Sequence, residues 1–401
     1  MKKNLISLVI VLFVSNSTVN AQWPQWRGPK RDGFSTEINL LKSWPTEGPK
    51  LLWSCNTIGD GYSSAVIQDE RIYITGKRDT TRIMTAMDLS GKMIWERKIG
   101  DVNDPNDLGE CSTPTLYKDK LYTFTKPGNL YCVDARTGAV DWAVNIPDKF
   151  GEDSHVCESP LVVDNKVIVS PLGEKTTLTA LNSVTGETIW KSEHIADKTA
   201  YVSPILVQGK DKRLIVTNAR EHIFAADLDT GKIVWQEKIS SETFVPLPDN
   251  NQIYFPSCMM LNIGPDLDSF NIQWRDTLKR KMFGGAVKLG SRLFGTYEEK
   301  PGIFCLDWQT GKQLAINNEI KGATLLAADG MIYSYEENSG RVSLLKPTDK
   351  SIDIVGSFKV KSGEGPHLAH MSIGNGILFI RHGNTLMAYD IKQQKKSTKV
   401  F

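Results

Sequence analysis

The chain of 401 residues is poor in the features that would make its chemistry easy to read. It has six cysteines, no two of them adjacent, and no Cys-x-x-Cys-His for attaching a haem. There is no Gly-x-Ser-x-Gly elbow and no His-Glu-x-x-His, so neither a hydrolase nucleophile nor a zincin helix is written in it. The run "GDGYSS" has closely spaced glycines, but it leads into a strand rather than opening a helix, which argues against a phosphate loop. An excess of one charge is also missing. With 48 basic and 46 acidic residues there is no electrostatic reason to expect a nucleic-acid partner, and Lys392, Lys395, Lys396 and Lys399 read as solvated, residues 393–401 forming a basic tail.

Long apolar runs are missing too, apart from residues 5–14, which follow Lys2 and Lys3 and precede a small-residue site at Val19-Asn20-Ala21. That run falls short of the about 20 residues a bilayer span needs. Residues 1–21 are therefore expected to be a cleaved secretory signal. The first cysteine is Cys55, so the cleavage site has no thiol to receive a lipid. The expected product is a soluble exported protein, periplasmic or secreted, without a transmembrane segment and monomeric.

What the sequence does have is repetition. "MDLSGKMIW", "VDARTGAVDW", "LNSVTGETIW" and "ADLDTGKIVW" place Gly91, Gly138, Gly186 and Gly231 at spacings of 47, 48 and 45, and Gly311 lies 80 further on, room for two repeats. Between the phrases, segments such as "STPTLYKDKLYTFT" and "SPLVVDNKVIVSP" read as strand, polar turn, strand. Each repeat is then a four-stranded antiparallel meander and the phrase its last hairpin. Gly138 can take the positive φ of a tight turn, with Asp134 and Thr137 bonding the turn backbone. Trp53, Trp95, Trp142, Trp190, Trp235 and Trp274 are expected to pack against the neighbouring blade, indole N–H toward a backbone acceptor. The position two before the turn Asp or Asn is small: Ala86, Cys132, Ala180, Ala225, Gly264, Cys305 and Ala388. Two copies are worn, one with Phe270 where the glycine belongs and one with Ala315 where the tryptophan belongs.

Inner strands starting near Ser63, Ser112, Ser159, Ser203, Thr243, Gly284, Gly322 and His370 make an all-β, eight-bladed β-propeller over residues 50–392. The last copy lacks an outer strand, and "PKLLWSCN" is an outer strand without a blade. Residues 50–56 are therefore predicted to complete blade eight and close the ring. Residues 22–49 form an N-terminal extension. Its Trp23, Trp26, Arg27 and Arg31 are expected to pack across the propeller's side or base, with partner recognition as the alternative.

The repeated Ala-x-Asp-x-x-Thr-Gly-x-x-x-Trp phrase, the eight copies and the signal resemble the pyrroloquinoline-quinone-like (PQQ-like) β-propeller repeat family. The opening "WPQWRGPKRDGFS", "GYSS" and "ESPLVVDNKVI" look like its standalone secreted members. The resemblance implies two possible roles. Quinoprotein alcohol dehydrogenases hold pyrroloquinoline quinone and calcium in the central funnel, the cofactor lying against a ring made by two adjacent disulfide-linked cysteines. The outer-membrane assembly scaffold BamB holds partner proteins. This chain has no adjacent cysteine pair and lacks the pocket-building insertions, so the expectation is a non-enzymatic scaffold binding an envelope protein or small polar ligand, without cofactor. The alternative is a divergent PQQ-dependent alcohol or sugar dehydrogenase.

The strand entrances would line one mouth of the channel with Tyr62, Glu110, Cys111, His155, Cys157, Glu158, Tyr201, Met282, His367 and His370, a mixed polar and aromatic rim. His155, Glu158, His367 and His370 carry metal-capable atoms, but His367-x-x-His370 outside a helix does not place both rings on one face, and no metal site is expected. His194, His222 and His382 fall near turns and are expected to be solvated. Cys132 and Cys305 sit in the small slot and read as buried thiols. Cys55 and Cys258 have no evident role. Cys111 and Cys157 fall at equivalent places on adjacent blades, a possible disulfide.

Overall fold

Short runs of β-branched and aromatic residues, broken by polar turns, pair mostly with their neighbours in the chain and build eight blades of four antiparallel strands, one of them extended by a short parallel fifth strand. The computed structural model describes residues 22–102, 104, 106–151, 157–198, 202–239, 245–256, 259–276, 282–298 and 300–394. Blades one to seven cover residues 66–101, 115–145, 161–191, 205–238, 247–275, 282–317 and 323–359. Blade eight takes three strands from residues 372–390, and its outermost strand is Lys50–Cys55. That strand pairs antiparallel with Thr385–Asp390, Trp53 opposite Ala388, so the two ends of the chain close the ring as the sequence predicts. The starting position expected at Thr243 lies outside the described residues, and blade five's innermost strand is Leu247–Asp249. Among the described residues no helix is long and apolar enough to cross a membrane.

The phrase turns form the seams. Asp134 Oδ1 accepts from Thr137 N at 2.9 Å and from Thr137 Oγ1 at 2.8 Å, and Gly138 takes φ 72°. A Cβ on Gly138 would lie 2.7 Å from the ring of Trp95, which belongs to the preceding blade. The glycine thus supplies both the left-handed backbone and a bare face for its neighbour's indole. Trp53, Trp95, Trp142, Trp190 and Trp274 each donate their indole N–H to a backbone carbonyl of the next blade: Leu89, Ala135, Ser183, Leu228 and Trp308, at 2.8–3.2 Å. The seam from blade four to blade five differs. Phe270 packs its ring 5.0 Å from that of Trp235, whose buried Nε1 has no partner among the described residues.

The small residue opposite each ring is Ala86, Cys132, Ala180, Ala225 or Ala388. In blade five the residue opposite Trp274 is Met260, not Gly264. The final hairpin there is longer, which shifts the pairing away from the Asp-centred alignment.

The N-terminal extension runs through the channel instead of lying across the propeller's side or base. It enters at the end where the innermost strands finish, with Trp23 bridged to Ile67 and Pro24 O accepting from Leu116 N at 2.7 Å. It rises to Arg31, returns as Phe34–Ser35 parallel to the innermost strand of blade seven, and leaves with Leu40 bridged to Lys392. Trp44 then wedges at the seam between blades seven and eight, 5.8 Å from Tyr333 and 5.5 Å from Phe358. Blade seven has no phrase tryptophan. Gly356 occupies that register, opposite Leu344, and a Cβ there would lie 2.6 Å from Trp44 Cβ. The extension thus supplies the missing ring from outside the repeat.

Candidate functional site

The upper mouth, where the innermost strands begin, is laced by hydroxyls. Ser372 Oγ donates to Ala65 O, Ser64 N to Thr113 Oγ1, Thr113 N to Ser159 Oγ and Ser159 N to Ser203 Oγ, at 2.6–3.1 Å, linking blades eight, one, two, three and four in turn. The recurring Ser-Thr-Pro and Ser-Pro at the strand entrances is the signal for this lacing, and it was readable in the sequence.

Inside this ring the arginines are held by protein acceptors. Arg31 donates to Ser159 O and Pro204 O at 2.9 Å, to Pro160 O, to Thr115 Oγ1 at 3.3 Å and to Gln25 Oε1 at 2.9 Å, using all five of its N–H groups. Arg27 spans to blade six through Gly284 O at 3.0 Å and Ala286 O. Arg381 donates to Gly59 O at 2.8 Å, Thr75 O at 2.7 Å and Gly383 O at 2.8 Å. Burial pulls Arg31 and Arg381 down to about 9 and Arg27 to about 10, each drawn partly back by a carboxylate, so all three stay charged at neutral pH.

Residues placed at the mouth by the sequence reading divide into groups. Tyr62, Cys111 and Cys157 do come together there, near Lys126 and Arg381. Glu110 is buried in ion pairs with Arg82, which also holds Asp107. Burial pushes Glu110 up to about 7 against the pull of Arg82, while Arg82 and a backbone N–H from Gly109 hold Asp107 below its ordinary range despite its burial. Glu158 is buried beside Arg31. Its Oε2 accepts from Ser170 N at 3.0 Å, its Oε1 has no partner among the described residues, and burial raises it to about 8.

Other assignments do not stand at the mouth. Met282 is fully buried against Tyr254, whose hydroxyl lies 3.6 Å from its sulfur. His370 faces the channel segment, edge-on to Trp26 at 5.1 Å, and burial depresses it well below its ordinary value. His367 lies between blades seven and eight, with Nδ1 2.5 Å from Tyr335 Oη and its ring stacked 3.7 Å from that of His382. His382, expected to be solvated, is instead buried, because Ser362 O and Gly365 O close on its two ring nitrogens at 2.8 and 2.7 Å. His222 is half-buried against Asp197 at 2.9 Å, and His194 is exposed. His155, Tyr201 and Cys258 lie outside the described residues. Cys111 and Cys157 are free thiols, and Cys132 and Cys305 are buried.

The dehydrogenase resemblance implies a quinone cofactor, whose carboxylates would have to meet cations at the mouth. Arg27, Arg31, Arg82 and Arg381 are held by backbone carbonyls and buried carboxylates, whereas Lys126 is partly exposed there, 3.4 Å from Asp107. Among the described residues no group of three or more His, Cys, Asp or Glu side chains is placed to hold a metal ion. The parts missed by sequence reading are the arginine supports: Arg82 and Arg381 sit in ordinary strands with no motif around them.

Comparisons with known proteins follow the same division. A family model described as "Outer membrane protein assembly factor BamB" matches residues 35–155 and 81–247, together more than half of the chain. BamB of Salmonella typhimurium is 24% identical over 174 residues, 42% of this chain and 41% of that protein. Methanol dehydrogenase [cytochrome c] subunit 1 of Methylorubrum extorquens is 24% identical over 386 residues, 84% of this chain and 56% of that protein. The matched stretch thus spans less than two thirds of either relative. Among solved structures, BamB from Moraxella catarrhalis superposes with a TM-score of 0.66 at 17% identity, over 86% of this chain and 98% of that one. Quinohemoprotein alcohol dehydrogenase from Comamonas testosteroni superposes with 0.67 at 13%, over 94% and 81%. At such identities the superpositions establish fold and not activity. The chain belongs to the PQQ-like β-propeller family, related to both BamB and the quinoprotein dehydrogenases.

Proposed function

We propose that this protein is an exported, non-enzymatic propeller scaffold that holds an envelope protein. The observation that carries this reading is the occupied channel: residues 23–35 run through it, leaving a cavity of about 590 Å³ beside Lys30 and Tyr117, and Arg27 and Arg31 spend their N–H groups on protein acceptors. A protein so built presents its outside rather than its interior. The match to an outer-membrane assembly factor supports a partner of that cellular setting. Export rests on the basic and apolar pattern of residues 1–21.

The dehydrogenase reading is favoured by one observation, the match to the methanol dehydrogenase subunit across 84% of this chain. Titration with pyrroloquinoline quinone and calcium, followed by dye-linked oxidation of alcohols and sugars, separates the two. The scaffold reading expects neither stoichiometric binding nor turnover, and tight binding with oxidation would overturn it. Affinity capture from an envelope extract then addresses the role directly. Retention of an outer-membrane assembly component supports kinship of role with BamB, and retention of a different envelope protein alone excludes it.

A further inference from the structure

Two of the five described cysteines differ chemically from the rest. Cys132 and Cys305 are buried in seams, and burial pushes them up to about 12 and about 11, as expected of inert core thiols. Cys55 stands alone on the outermost strand of blade eight, its sulfur 3.3 Å from Thr57 Oγ1. Cys111 and Cys157 are both partly exposed at the upper mouth, each four residues ahead of its blade's innermost strand, Thr115–Tyr117 and Leu161–Val163. The entrances that carry them are stitched together. Thr113 N donates to Ser159 Oγ at 3.1 Å and Thr115 Oγ1 to Pro160 O at 2.6 Å, fixing the two backbones side by side. The two thiols therefore stand at matching places on neighbouring entrances, close enough for each to bias the other's titration.

The surrounding charges make the pair unequal. Lys126, at the top of blade two and 3.4 Å from Asp107, acts on both sulfurs. The Cys157 S–H, and then Lys126, hold Cys111 below the ordinary thiol value against burial and the nearby Glu110 and Asp107 carboxylates. Cys157 is pushed upward by Cys111 and by burial. Tyr62 completes the group.

We propose that Cys111 and Cys157 form a dithiol–disulfide exchange site at the upper mouth, with Cys111 the attacking thiolate and Cys157 the resolving thiol. The co-reactant is a low-molecular-weight disulfide. Cys111 Sγ attacks one of its sulfurs, its S–S bond breaks, and one thiolate leaves, giving a mixed disulfide on Cys111. Cys157 then loses its proton to solvent and attacks Cys111 Sγ, releasing the second thiolate. Two protein thiols are oxidised, one disulfide is reduced to two thiols, and the new bond staples blade two to blade three. This site stands independently of the scaffold reading.

Oxidised glutathione is the probe, added to the reduced full-length mature protein, with thiol titration, intact mass and peptide mapping as readouts. The wild type is expected to lose two thiols and yield a peptide joining Cys111 to Cys157. C157S is expected to stop as the glutathione adduct of Cys111, and C111S as the adduct of Cys157, because each variant keeps one thiol that can attack and none that can resolve. Glutathione on both cysteines of the wild type without a joined peptide would overturn the proposal. Should either variant fail to fold, pH-dependent alkylation of the reduced wild type decides. Cys111 labelling first, at the lower pH, supports the assignment of roles, and simultaneous labelling overturns it.

Discussion

Glu158 shows how a single residue can be legible in identity and misleading in setting. A glutamate at a strand entrance reads as a rim acid, yet here it is covered by the channel segment and leaves one carboxylate oxygen without a partner. With its folded value raised from 4.5 to about 8, the folded protein holds a proton that the unfolded chain releases. The resulting stabilisation is complete below about pH 4.5 and is lost as the pH rises through about 8. Thermal melts from acid to mildly alkaline pH are therefore expected to show the wild type losing stability relative to E158Q across that window. Parallel curves would mean that Glu158 does not titrate there. Nothing in the sequence around Glu158 could have revealed this, because the lid over it comes from Arg31, more than a hundred residues away.

At the scale of the element, the phrase hairpins were readable because each obeys local turn chemistry: an Asp or Asn bonding the turn, a glycine at positive φ, and a tryptophan one strand on. Trp190 fills its seam with its N–H bonded to Leu228 O at 3.0 Å, so Trp190→Ala is expected to cost about 3–5 kcal/mol in denaturant unfolding. Gly231→Ala meets the same ring and also forces a left-handed backbone. That backbone alone costs about 1–2 kcal/mol, and the clash adds about 1–3 kcal/mol. The worn copies were harder. Phe270 announced a different turn, but the longer hairpin that puts Met260 opposite Trp274 follows from pairing register, which the Asp-centred alignment does not capture. Gly356 is harder still, since its partner Trp44 lies outside the repeat. Trp44→Ala is expected to destabilise the seam between blades seven and eight, lowering the melting temperature more than Ala substitution of the exposed Ile38 does.

For the whole molecule, ring closure was legible because blade eight lacked a strand that the N-terminus offered as a surplus. The filled channel was not. "WPQWRGPKRDG" has no periodicity, and which blades its arginines reach depends on a closed ring that no local pattern encodes. In the folded protein those arginines tie blades two, three, four and six from the inside, so Arg31→Met is expected to strand the carbonyls of Ser159, Pro160 and Pro204 and loosen that half of the ring. Limited proteolysis of the variant should then cut first in blades two to four, and cleavage unchanged from the wild type would show that Arg31 contributes little. The claim on which the functional reading turns is that residues 23–35 are an integral part of the channel. Amide hydrogen exchange tests it most directly. The N–H groups of Trp23, Arg31 and Gly33, bonded to Ile67 O, Gly28 O and Arg27 O, are expected to exchange as slowly as those of the innermost strands. Exchange at the rate of a free peptide would contradict it, leaving the funnel open to a ligand.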